Sequence, residues 1–149
     1  MNIPQSIHPF SQKTCLVVAD HTHARLFLLE GQTAQEMVSI SSEYPPKDNM
    51  ERTSMVTPSG AHSAEESEQL EKLSWKSLAE KIEHQLMHDL AKHAYEEIIF
   101  FIPEDAVRQI QKTMNKDILA NTSHLFPKIL TNYPLPKILE HLSDELNKI

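Results

Sequence analysis

His62 is the residue whose type and setting best suit chemistry. It ends the run Pro58-Ser59-Gly60-Ala61-His62, which closes a polar, breaker-rich connection from Ser42 to Glu65 and leads straight into a helical pattern. At a helix start the dipole favours a neutral imidazole, which can act as a general base or orient a water. The plainer alternative is an exposed loop histidine beside a cap. Asp20, His21 and His23 offer three potential metal ligands within four residues. A structural metal site normally needs a fourth ligand and outer partners that orient the first ones, so no metal is expected there. His84 and His88 stand at i, i+4 with Glu80 one turn earlier, yet no Glu follows His84 as a zincin motif requires. A solvated helix face is the plainer reading of that stripe.

The elements that must hold these groups can be read in order. Residues 1–13 carry two prolines and no periodicity and read as a flexible N-terminal arm. Thr14 to Ala19 is a short apolar run suited to a central strand. Ala24 to Glu30 reads as a second strand, Gly31-Gln32 as a tight turn, and Thr33 to Ser41 as a third strand. Short connections between the three predict an antiparallel meander. Past the long connection, Ser63 and Glu66 have capping-box spacing, and Glu65, Glu66 and Glu68 suit a helix start. Trp75, Leu78, Ala79, Ile82, Leu86 and Leu90 share one face of a helix from about Ala64 to His93. Trp75 is read as a core anchor. Tyr95 to Ile102 is the most hydrophobic strand, and Pro103 sits at a first-turn position of a helix carrying Val107, Ile110 and Met114. A short helix near Lys116–Ala120 follows, then an edge strand over 124–130 interrupted by Pro127. A final helix from Leu135 presents Ile138, Leu139, Leu142 and Leu146.

The expected fold class is α/β (α+β): one domain over residues 14–149, with a mixed sheet of about five strands packed with three to four helices. At 149 residues the chain can bury a core without staples. Only two glycines, Gly31 and Gly60, leave almost no room for a glycine-rich phosphate cradle, and no cofactor is expected. Cys15 is alone, so no internal disulfide forms, and a buried, inert thiol suits a reducing compartment. No apolar run approaches the ~18 residues of a membrane span, and Met1-Asn2-Ile3-Pro4 lacks the features of a signal peptide. A cytoplasmic protein without a membrane partner is expected. The net charge of −7 opposes a generic grip on nucleic acid and excludes DNA as an expected partner.

The opening Leu16-Val17-Val18-Ala19-Asp20-His21-Thr22-His23-Ala24-Arg25-Leu26-Phe27 resembles that of the bacterial host attachment proteins. The ending Phe126-Pro127-Lys128-Ile129-Leu130-Thr131, then Pro136-Lys137-Ile138-Leu139-Glu140-His141-Leu142, is similar to that family's ending in order and spacing. That family in turn resembles the central domain of eukaryotic and archaeal peptide release factors. There a Gly-Gly-Gln tripeptide before the long helix promotes hydrolysis of peptidyl-tRNA. Here the corresponding place reads Ser59-Gly60-Ala61-His62-Ser63, and acids replace the flanking basic residues. The resemblance implies a release-factor-like scaffold without peptide-release activity, acting on or near the ribosome or tRNA. Contact would come through the 42–65 loop, with Lys47, Arg52, Ser59, Gly60 and Ser63 as binding residues that order on binding. Two alternatives stand beside it. One is a hydrolase of an RNA or tRNA-linked ester using His62. The other is a protein-interaction module linked to host attachment. The sequence leaves open whether the protein is an enzyme and whether it forms a homo-oligomer.

Overall fold

A computed structural model describes Ile3, residues 10–42 and residues 63–148, the stretch 63–73 as backbone alone. Five strands and four helices form one mixed α/β domain among these residues. The strands are β1 (Phe10–Ala19), β2 (His23–Gly31), β3 (Thr33–Ser41), β4 (Glu97–Phe101) and β5 (Thr122–Phe126). The helices are α1 (Ser63–Ala91), α2 (Glu104–Thr113), α3 (Lys116–Ala120) and α4 (Leu135–Asn147). Sheet order is β3-β2-β1-β4-β5. β1, β2 and β3 pair antiparallel, as the short turns predict, while β1–β4 and β4–β5 are parallel.

Residues alternate between the two faces of a strand, and each face here has its own cover. Cys15, Val17, Leu26, Ile98 and Phe100 pack beneath Trp75, Leu78, Ile82 and Leu86 of α1, with Ala106 and Ile110 of α2 and Ile118 of α3. Leu16, Val18, Phe27, Leu29, Ile99 and Phe101 pack beneath Ile138, Leu139 and Leu142 of α4. Being covered on both sides is why Thr14 to Ala19 is a continuous apolar run, buried at every position.

Differences from expectation lie at element ends. β1 begins at Phe10, because Ser11, Gln12 and Lys13 are exposed strand residues that leave no apolar signal; the register against β2 shifts between Phe10 and Thr14. Ile3 is buried in the second core, and its N–H donates to the Gln32 carbonyl at 2.6 Å. Pro103 is the N-cap of α2 rather than a residue of its first turn. The last strand runs over Thr122–Phe126 and stops at Pro127 instead of continuing through it, since proline has no N–H for the ladder. Glu30 faces Thr33 across the β2–β3 turn, which needs Gly31 at φ +57°.

Candidate functional site

In open sheets of this kind ligands gather outside the carboxyl ends of parallel strands, where neighbouring connections diverge. Here the chain leaves β1 toward β2 and leaves β4 toward β5, so the divergence falls between the ends of β1 and β4. The β1–β2 turn Asp20-His21-Thr22-His23 lies at this edge, with the first turn of α2 and the β5–α4 connection.

Asp20 organises the turn. Its Oδ1 accepts the backbone N–H groups of Thr22 and His23, each at 2.7 Å, and the Thr22 hydroxyl at 3.1 Å. The Thr131 hydroxyl, from the β5–α4 connection, donates to Oδ2 at 2.7 Å. Partial burial alone pushes this carboxyl up. The bonds from Thr131, from the Thr22 and His23 N–H groups and from the Thr22 hydroxyl outweigh it, leaving Asp20 below its ordinary value.

His21 turns away from Asp20. Its Nε2 meets both oxygens of Asp105 in α2, at 3.1 and 3.0 Å. His23 Nδ1 lies 2.7 Å from the Thr22 hydroxyl and 4.0 Å from Asp20 Oδ1. Asp20 and His23 thus share the Thr22 hydroxyl, while His21 pairs with Asp105. Among the described residues no three His, Cys, Asp or Glu side chains gather where they could hold a metal ion. His84, His88 and Glu80 are exposed on α1.

Arg25 is a site residue that sequence reasoning missed. Its Nη1 donates to the carbonyls of Thr131 (3.2 Å) and Tyr133 (2.7 Å), its Nε to Glu36 Oε1 (2.8 Å), and the guanidinium lies 5.0 Å from the Phe27 ring centroid. A lone arginine inside the apolar run Ala24–Leu29 was the available signal, because a half-buried guanidinium needs fixed acceptors. Nothing in the sequence marks Thr131 or Asp105 as partners of the turn.

The first root of the long connection lies at the same edge and is tied to the middle of α1. The Ser42 N–H donates to the Thr22 carbonyl at 2.8 Å, and Ser74 Oγ donates to Ser42 Oγ at 2.8 Å. Lys81 Nζ donates to the Ser41 carbonyl at 2.7 Å. From Ser74 back to Ser63 the backbone stays helical, roughly 16 Å at 1.5 Å per residue. Lys47, Arg52, Ser59, Gly60 and His62 lie outside the described residues, as does most of the expected N-terminal arm. Ser63 is the first residue of α1, and the side chains of the expected capping box are likewise undescribed.

A three-stranded meander extended by two parallel strands, with three helices on one face and one on the other, defines a mixed α/β domain built around a strand–Asp–turn–strand opening. The chain belongs to bacterial archaeo-eukaryotic release factor family 12, whose model matches residues 13–142. Among solved structures it is similar to Dom34 of S. cerevisiae, a translation termination-like factor involved in RNA quality control pathways and interacting with Hbs1, at 17% identity and a TM-score of 0.38. That likeness covers 91% of this chain and 40% of the other, so this chain spans less than half of Dom34. No curated protein matches it. No helix among the described residues is long and apolar enough to cross a membrane.

Proposed function

We propose that this protein acts on or near the ribosome as a release-factor-like factor that does not itself release peptides. Membership of the release-factor family over residues 13–142 carries the reading. The departure from Gly-Gly-Gln at Ser59-Gly60-Ala61-His62 supports the loss of peptide release. The 42–65 connection is the proposed contact, with Lys47, Arg52, Ser59, Gly60 and Ser63 as its binding residues. Its first root, Ser42, is tied to the β1–β2 turn and to Ser74 of α1. In this reading His62 is a contact residue rather than a catalyst, and a host-attachment phenotype would be an indirect consequence.

Ribosome co-sedimentation across a salt series tests the proposal. Association at low salt that weakens as salt rises is expected, because phosphate contacts release counterions. No association at the lowest salt overturns it. Peptidyl-tRNA hydrolysis by the wild type that His62→Ala abolishes would replace it with the hydrolase reading.

A further inference from the structure

We draw no further inference here: the strongest candidate, the groove between α1 and α2 with Trp75, Ala79, Ile110 and Met114 along its floor, is rimmed by charges of both signs from Lys76 and Glu83, and nothing in the structure shows what covers it.

Discussion

Replacing Asp20 tests how much the turn depends on one carboxylate. The side chain is 23% exposed and accepts four hydrogen bonds. Bonds to a charged group are worth roughly 1.5–3 kcal/mol each, but the four do not add. In Asp20→Ala, water can reach the N–H groups of Thr22 and His23, because both residues are exposed. The Thr131 hydroxyl is left in a buried place with no carboxylate. A net loss of about 2–3 kcal/mol follows, or roughly 4–12 °C in Tm for a chain of this size. Asp20→Asn keeps an acceptor at Oδ1 without the charge and should lose about half as much.

The pH dependence gives the same experiment a sign. The folded carboxyl lies below its ordinary value, so its stabilisation is fully present above the unfolded value of about 4 and is lost as pH falls through the folded value. The Tm gap between wild type and Asp20→Ala should therefore hold steady from neutral pH down to about pH 5 and close at lower pH. Thermal melts monitored by circular dichroism across that range read it directly. A gap under about 1 °C at neutral pH, or one that widens on acidification, would refute the reasoning.

Two further outcomes can be measured on the same material. Arg25→Lys should recover only part of the roughly 2 kcal/mol lost in Arg25→Ala, because an ammonium lacks the fork that reaches Glu36 and both carbonyls; urea titrations of the pair give the comparison, and full recovery would contradict it. Cys15 is fully buried, and burial foremost, with the charge of Asp89 adding to it, pushes its thiol far up; Ellman's reagent should stay unreacted with native protein and react after denaturation, whereas equal rates would contradict the buried placement.

The fold was readable where one physical signal dominated. Thr14–Ala19 is apolar throughout because both faces of β1 are covered, and the 3.6-residue spacing of Trp75, Leu78, Ile82 and Leu86 marks the buried side of α1. Where local signals conflicted, boundaries moved. Leu125, Phe126, Ile129 and Leu130 look like one apolar run, yet Pro127 ends the strand and Leu130 fills the second core from a loop. The site was less readable, because its contacts join residues far apart in the chain. Asp20 and Thr131 are 111 positions apart, Arg25 and Tyr133 108, and His21 and Asp105 84. No periodicity encodes such pairs. The types and spacing of Asp20, His21 and His23 suggest metal ligands, whereas Asp105, which holds His21 away from the other two, lies 84 positions off.

One turn ties both the start of the long connection and the β5–α4 loop. The Thr22 carbonyl accepts Ser42 N–H and so fixes the root of the long connection, while Asp20, two residues earlier, holds Thr131 and with it the loop that presents Tyr133. Arg25, on the strand that follows, ties that loop a second time. The strand–Asp–turn–Ala–Arg opening therefore has a structural reason to be spelled as it is. Thr22 needs its amide and hydroxyl bound to Asp20 to hold the carbonyl where Ser42 can reach it. Arg25 must lie on the α4 side of the sheet, two residues from Phe27, to reach the 131–133 carbonyls. A one-residue slip in β2 would send Arg25 into the core beneath α1 and release the loop. The short opening thus positions a loop about a hundred residues away, and that is where substitutions in it should be read out.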